Sequence, residues 1–496
     1  MYLEKSLGGE HASKQSIQRR ADTQSFRNFR RLCLSAIATI LLSSTLFLKG
    51  PNVVPFTLEH ENDLSTFESF RKCSIEKFVA TGLPWLDGAS PISKHEFMQR
   101  RNNLAVALKA EDIDAFIIEP GYTFQYYGNV SQRDWEVWEP EERPFLMIVR
   151  PRQDESSGNV VAATTFVAPH FEEGRVRMLG MPFEEDLNVI TWEEHWNPYE
   201  TLLSNWNQTS SGELGSGGLP KVMVDEEMRD FIQRGLAEAG FTVVGLEGEV
   251  KRVKQTKTSG EVDNLRAVNT GTVEALRAMR KCLLPGLTEN EVMKGLDSTM
   301  RAGGMEPFFD IVLFDENAAM PHGGPDGTKV LEAETLILID VGAHLYGYSS
   351  DICRTFFPPF FPAHNTRPSL PPNVQQKIAV WETVFDAQTE ALHALKSNGR
   401  CASVDLAARK VITDAGYGQD FTHRVGHGIG IKAHESPYLH MGNTEELLRP
   451  GMAFTLEPGV YLEGKFGVRH EDVFLVKENG EADILTGSRA QDAWNP

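Results

Sequence analysis

Four acidic residues and a run of histidines in the carboxyl-terminal half have the types and spacing of a metal site. Asp340 closes the apolar run Thr335-Leu-Ile-Leu-Ile-Asp340, and Asp351 follows in Tyr348-Ser-Ser-Asp351-Ile-Cys-Arg-Thr-Phe356. Both segments read as strands, joined through His344-Leu-Tyr-Gly347. A hairpin folded about the Leu345–Tyr346 midpoint sets Asp340 opposite Asp351, on one sheet face at about 5 Å. Like charges so placed are destabilising unless a cation holds them. Two independent surface carboxylates are the alternative, but four apolar residues before Asp340 point to a buried strand. The pattern repeats: Glu457, in Phe454-Thr-Leu-Glu-Pro-Gly459, and Glu471, in Val468-Arg-His-Glu-Asp-Val473, are equidistant from Gly464. Gly464 lies in the turn-like Leu462-Glu-Gly-Lys-Phe466, so this pair also faces itself. Between the pairs lies His423-Arg-Val-Gly-His427-Gly-Ile-Gly-Ile-Lys-Ala-His434-Glu-Ser-Pro437. A lone histidine is usually a satisfied core or surface residue, whereas three within twelve residues, among glycines that permit close backbone approach, indicate a site. Pro321-His322-Gly-Gly324 adds a fourth candidate. Four carboxylates and an imidazole form a hard donor set that favours Mn²⁺, with Zn²⁺, Co²⁺ and Fe²⁺ allowed. Two ions about 3.5–4 Å apart can share a hydroxide and polarise a carbonyl or phosphoryl oxygen. Spacing alone therefore gives a two-metal hydrolase, without choosing the bond cleaved.

These strands need a scaffold. Thr258-Ser-Gly-Glu261 has capping-box spacing, and Val262, Leu265, Val268, Leu276, Met279 and Leu283 continue one helical face until Pro285-Gly286 closes it. A domain spanning 253–490 follows from that start, with Phe356–Pro372 as a Pro-rich, exposed connection inside it. Upstream, the strand-length apolar pieces Ala115–Ile118, Phe145–Val149, Val160–Val167 and Lys221–Val224 alternate with helical stretches, which predicts an α/β domain over 91–252. No catalytic cluster falls there, so a covering or assembly role is expected. Ser210–Gly218 is a flexible loop by composition, and 49–90 reads as a stalk or linker.

The 496-residue chain is 41% hydrophobic and 24% charged, which excludes wholesale disorder, collagen and coiled coil. Its 69 acids against 49 bases, net −20, make it a poor nucleic-acid binder. Residues 1–31, a cytoplasmic tail in this reading, carry +4 and the remainder −24. Behind Arg30-Arg31, the uncharged run Leu32–Leu48 would reach about 26 Å as a helix, slightly under the ~30 Å hydrocarbon core. The basic flank and the Pro51/Pro55 stop favour a single transmembrane signal-anchor over a buried helix. Its amino terminus would then be cytoplasmic and the catalytic body lumenal or extracellular, or secreted if the segment is cleaved. Asn129-Val-Ser131 and Asn207-Gln-Thr209 fit glycosylation acceptors and agree with that placement. Five scattered cysteines without a CxxC motif assign no disulfide.

The motif set Asp340/Asp351, Gly426-His427-Gly-Ile-Gly430, His434-Glu-Ser-Pro437, Thr455-Leu-Glu-Pro-Gly459 and Arg469-His-Glu-Asp472 resembles the pita-bread metallopeptidases: Xaa-Pro aminopeptidases, prolidases and methionine aminopeptidases. The likeness runs from about Arg252 to Gly487, and 91–252 looks like the creatinase-type amino-terminal domain, which methionine aminopeptidases lack. The resemblance implies an α/β (α+β) chain: a creatinase/prolidase-like domain, then a pita-bread catalytic domain. It implies Asp340, Asp351, His427, Glu457 and Glu471 as ligands of two metal ions, with Asp351 and Glu471 bridging. Glu457 would also shuttle the proton of the bridging hydroxide, and His434 would stabilise the tetrahedral intermediate. His322 would contact the scissile amide, His423 the prolyl pocket, and Arg469 would orient a metal carboxylate from behind. His470 departs from the family's usual aliphatic residue, with only local effects expected.

The implied reaction is hydrolysis of the Xaa-Pro bond at a peptide amino terminus (proline at the second position), with a homodimer allowed as the assembly. A prolidase-type dipeptidase is the alternative. Such an enzyme recognises the product carboxylate, usually through an arginine, and Arg449, ahead of Pro-Gly-Met, does not align with that role. An inactive peptide-binding module and a metal-free creatinase-type hydrolase are disfavoured because all five ligands are present.

Overall fold

The computed structural model describes residues 65–206, 219–324, 327–361 and 370–496. Its amino-terminal part is a six-stranded sheet in the order β4-β3-β2-β1-β5-β6, with β1 Ala115–Ile118, β2 Leu146–Gln153, β3 Val160–Pro169, β4 Val189–Trp192, β5 Lys221–Val224 and β6 Thr242–Val244. All four apolar runs named from sequence lie on these strands. Strand alternation gives the sheet two buried faces. Phe116 and Ile118 pack with Phe124, Phe145 and Phe166 on one side, and Ala115 and Ile117 pack with Trp192, Trp206 and Leu236 on the other.

Residues 65–90, read from composition as part of a stalk or linker, are helical over Thr66–Val79. Helix α1, Thr66–Val79, is capped by Ser65, whose hydroxyl accepts from the Glu68 amide at 3.2 Å. It buries Phe70, Ser74 and Phe78 at four-residue spacing. That face packs on two helices of the carboxyl-terminal half, α3 Ser259–Arg280 and α4 Glu289–Ala302 (α2, Lys94–Ala110, lies against β2 and β3). The Phe70 ring occupies the space a side chain would take at Gly295 in α4. A disulfide, Cys73–Cys282, fixes α1 to the segment after α3 across 209 residues of sequence. The Leu32–Leu48 run, the Asn207 acceptor and the Ser210–Gly218 loop lie outside the described residues. Among the described residues, no helix is long and apolar enough to cross a membrane.

Helix α3 starts on the expected capping box, with Thr258 and Glu261 each satisfying the other's backbone amide. Beneath α3 and α4 lies a sheet of β7 Glu306–Phe314, β8 Ile337–Leu345, β9 Tyr348–Ser349 and β10 Ile352–Phe356, in the order β10-β8-β7 with β9 extending from β8. Helices α5, Pro372–Ala394, and α6, Cys401–Asp414, back a second sheet in the order β12-β11-β13-β16-β17. Its strands are β11 Gly426–Gly428, β12 Glu435–Leu439, β13 Ala453–Leu456, β16 Asp472–Val476 and β17 Ala482–Ile484; a hairpin of β14 Gly459–Leu462 and β15 Phe466–Arg469 extends beyond it. Alternation fixes which side chains look inward. Ile337, Ile339 and Val341 of β8 join the α3/α4 core, so Asp340 takes the opposite face. Phe454 and Leu456 join the α5/α6 core, which turns Thr455 and then Glu457 the other way. The two sheets are stitched where Cys353 pairs with Glu471.

Candidate metal centre

The first carboxylate pair is displaced from the expected register. The β8–β9 turn is Tyr346-Gly347, both at positive φ (50° and 85°), so Asp340 pairs with Cys353 rather than Asp351. The hairpin folds one position later than the sequence midpoint, which shifts the pairing by two. An even shift keeps both side chains on one face, and Asp340 and Asp351 still meet. The second pair keeps its register: Leu456 pairs with Asp472 on one side and Gly459 with Arg469 on the other, leaving Glu457 and Glu471 in the gap between the two ladders.

His427 enters through a tight backbone crossing, since a side chain at Gly426 would strike the Thr455 carbonyl. Its Nδ1–H donates to the Gly428 carbonyl at 3.1 Å, which turns the Nε2 lone pair into the cluster. Nε2 lies 3.3 Å from Glu457, 3.6 Å from Asp351 and 4.0 Å from Glu471. Three ligand sets interlock here: Asp340/Asp351/Glu471, His427/Glu457/Glu471 and Asp351/His427/His434. Asp340 Oδ1, Asp351 Oδ2, His427 Nε2 and Glu471 Oε1 are all buried without a hydrogen-bond partner. Buried polar atoms rarely stay unpaired. Four converging on one point, all metal-binding atoms, fit a pair of divalent cations. His434 is half-exposed, its ring 4.2 Å from that of His427 and its Nε2 3.5 Å from Asp351.

Burial, then the like charge of neighbouring carboxylates, drives Asp351 and Glu471 well above the usual carboxylate range. Burial also raises Asp340, opposed by Arg469. Glu457 goes the other way: against its burial, His427, His423 and Arg469 hold it down at about 2.

Arg469 Nη2 donates to Asp340 Oδ2 at 2.6 Å and Nη1 to the Tyr461 hydroxyl at 2.8 Å. Tyr461 is 2.7 Å from His423 Nε2, and His423 Nδ1 is 2.7 Å from the Arg424 carbonyl. The Arg424 carbonyl accepts from the His423 Nδ1–H, and burial lowers the His423 pKa against the opposing charge of Glu457. A second cation, fully buried Arg354, donates to Asp472 and to the Glu471 carbonyl, both at 2.6 Å. The sequence reading missed Tyr461 and Arg354. Tyr461 shares strand parity with Glu457, which was the available signal.

The cluster opens on a cavity of about 340 Å³ lined on one side by Phe308, Phe309, Ile311 and Pro321, with His322, exposed, at its edge. All nine candidate residues therefore converge: the five carboxylate and imidazole groups that could hold metal, with His434, His423 and Arg469 behind or beside them, and His322 on the cavity wall.

His470 is enclosed by Trp381, at 4.4 Å between rings, and Phe385. Burial, reinforced by Arg354, lowers it to about 3. The unfolded chain protonates this residue near 6.5, so stability is retained above that pH and lost as pH falls from about 6.5 toward 3. His470→Leu is expected to flatten this slope in acid-unfolding titrations, gaining about 3 kcal/mol on wild type at pH 4. Parallel pH curves for the two proteins would refute the assignment.

Residues 263–478 match the model of metallopeptidase family M24. An uncharacterised peptidase of Schizosaccharomyces pombe is 35% identical over 474 residues, 95% of this chain and 96% of its own length. Among solved structures, dipeptidase PepE from Mycobacterium ulcerans superposes with a TM-score of 0.68 at 26% identity, over 82% of this chain and 99% of that one. The X-Pro aminopeptidase from Thermotoga maritima gives 0.61 at 25%, over 79% and 99%.

Proposed function

Because the chain belongs to metallopeptidase family M24, with its pita-bread fold behind an amino-terminal α/β domain, we propose that it is an exopeptidase cleaving the bond between a first residue and proline. The observation that carries this reading is the convergence of four buried, unpartnered ligand atoms from Asp340, Asp351, His427 and Glu471, with Glu457 3.3 Å from His427. Asp340, Asp351, His427, Glu457 and Glu471, which share members across the interlocked sets, would hold two ions, Mn²⁺ fitting the oxygen-rich donors best. When bound, the ions supply Lewis acidity and a hydroxide nucleophile at neutral pH.

The chain's own groups divide the remaining work. Glu457, held ionised, takes the proton of the attacking water and returns it to the leaving nitrogen. His434, half-exposed beside His427, donates to the oxygen on which charge develops. His423 has both ring nitrogens engaged, so it bounds the prolyl pocket with its ring rather than bonding the substrate. Phe308, Phe309 and Ile311 offer the apolar wall a pyrrolidine ring needs, and His322 reaches the scissile amide from the rim. Arg469 fixes Asp340. The Cys73–Cys282 disulfide supports a body folded in an oxidising compartment, behind an anchor at Leu32–Leu48.

Chelator-treated protein is expected to be inactive, and added Mn²⁺ to restore cleavage of Xaa-Pro or Xaa-Pro-Xaa-Xaa peptides but not of their Xaa-Ala counterparts. Failure to cut either proline peptide refutes the proline assignment. Activity that survives metal removal refutes the two-ion centre.

A further inference from the structure

His434 is the least constrained member of the centre. Among the described residues its ring nitrogens form no hydrogen bond; Asp351 lies 3.5 Å from Nε2. Its backbone belongs to the irregular turn between β11 and β12, so the imidazole stands where that turn is held. Two ion pairs flank it. Lys432, two residues before, donates to Glu227, and Glu435, one residue after, accepts from Lys257. Glu227 follows β5 in the amino-terminal domain. Lys257 lies in the segment joining the domains, where Lys254 donates to Thr123 at 2.8 Å and Thr123 to Asp225 at 2.9 Å. The linker is thus tied to the same domain. Lys432 also lies 5.9 Å from the Tyr122 ring, and both residues line the metal cavity. The two pairs differ in burial. The Lys257 side chain is 2% exposed and that of Glu435 15%, against 29% for Lys432 and 41% for Glu227. Lys257 also donates to the Lys254 carbonyl at 2.8 Å. A side chain at Gly430 would press on both the Glu435 carboxylate and the Lys257 ammonium, so the turn closes tightly over this pair.

We propose that the Glu227–Lys432 and Lys257–Glu435 pairs are the device by which the amino-terminal domain positions His434 for the oxygen on which charge develops. The inference rests on the role given to His434 above and adds what holds it there. All four are positioning residues: they act through His434 and take no part in bond making. Buried ion pairs are a poor source of net stability but a demanding geometric constraint, because both charges lie unpaired if the geometry is lost. A constraint of that kind suits a side chain with no partner of its own. Misplacing a catalytic group by about 1 Å can cost roughly 100-fold in rate. The domain read from sequence as a cover thereby takes part in turnover.

The test uses the full-length, Mn²⁺-loaded protein with Ala-Pro and Ala-Pro-Ala-Ala as substrates. The variants are Glu227→Gln, the charge swap Glu227→Lys with Lys432→Glu, and Lys257→Met, each made in wild type and in His434→Ala. Glu227→Gln is expected to lower kcat about 3-fold, the scale of a partly exposed pair, with KM, bound metal and unfolding temperature unchanged. The charge swap should restore most of that loss. Lys257→Met should lower kcat about 100-fold; should it fail to fold, the exposed Glu227→Gln still decides the matter. In His434→Ala the same exchanges should change the residual kcat no further, since residues acting through one group are not additive. An unchanged kcat in Glu227→Gln, or losses that persist in full in His434→Ala, overturns the positioning role alone. A His434→Ala variant as active as wild type overturns the role of His434, and a metal-loaded wild type that cuts neither peptide overturns the Xaa-Pro reading beneath both.

Discussion

Exchanging Asp351 for asparagine is expected to lower kcat/KM by roughly 10³-fold or more, the equivalent of about 4 kcal/mol of transition-state stabilisation. Asp351 is shared by two of the interlocked ligand sets, and a neutral amide lacks the charge a divalent cation requires of its oxygen donors. The same exchange should have the opposite sign on the metal-free protein. Burial and neighbouring carboxylates hold the Asp351 pKa far above its unfolded value, so the metal-free wild type loses stability as pH rises through the carboxylate range and beyond. Asparagine removes that charge, and metal-free Asp351→Asn should melt above metal-free wild type at pH 8. Mn²⁺ should reverse the order: at a hundredfold excess over Kd it stabilises wild type by about 2.7 kcal/mol and leaves the variant unmoved. Calorimetry with and without metal, beside peptide kinetics, distinguishes this from a structural carboxylate. A structural role predicts a variant that melts lower in both states.

Breaking Cys73–Cys282 is expected to be the most costly change outside the centre. The crosslink closes a loop of 209 residues, and chain-entropy arguments place such a loop at the upper end of the usual 2–5 kcal/mol. Cys73→Ser should therefore lower the unfolding free energy by several kcal/mol in denaturant titrations, with metal binding preserved in the cold. Thiol labelling of protein recovered from its native membrane or medium provides the compartment test. The bonded pair should resist alkylation without reductant. Alkylated Cys73 would overturn both the pairing and the oxidising-compartment placement.

What the chain discloses linearly and what it withholds divide along physical lines. Strand parity is local, so Glu457 and Glu471 are placed correctly by counting from Gly464. Turn geometry is less accessible. Tyr346 at positive φ is uncommon for an aromatic residue, and the hairpin was consequently centred one position early, without loss of the shared face. Helix α1 reads as part of a stalk by composition, since Phe70, Ser74 and Phe78 make only a thin apolar stripe. The surface that receives it, including the hollow at Gly295, arrives some 200 residues later. Arg354 is invisible for the same reason: it owes its role to Asp472 and the Glu471 carbonyl on another strand, and nothing in its own neighbourhood announces them. Tyr461 shows only the parity it shares with Glu457.

The gap between the two ladders at Glu457 and Glu471 bears on how this sequence can change over evolutionary time. The carboxylates are held in place by an unbroken count from the Leu456–Asp472 pair through the Gly459–Arg469 pair to the tip at Gly464. Residues in β14 and β15 other than Tyr461 and Arg469 can be exchanged while that count survives. A single insertion or deletion inside either strand would turn one glutamate out of the centre, however conservative its chemistry. Lineages that keep the activity should therefore keep Tyr461 and Arg469, vary in residue identity along the rest of this hairpin and confine length changes to its tip.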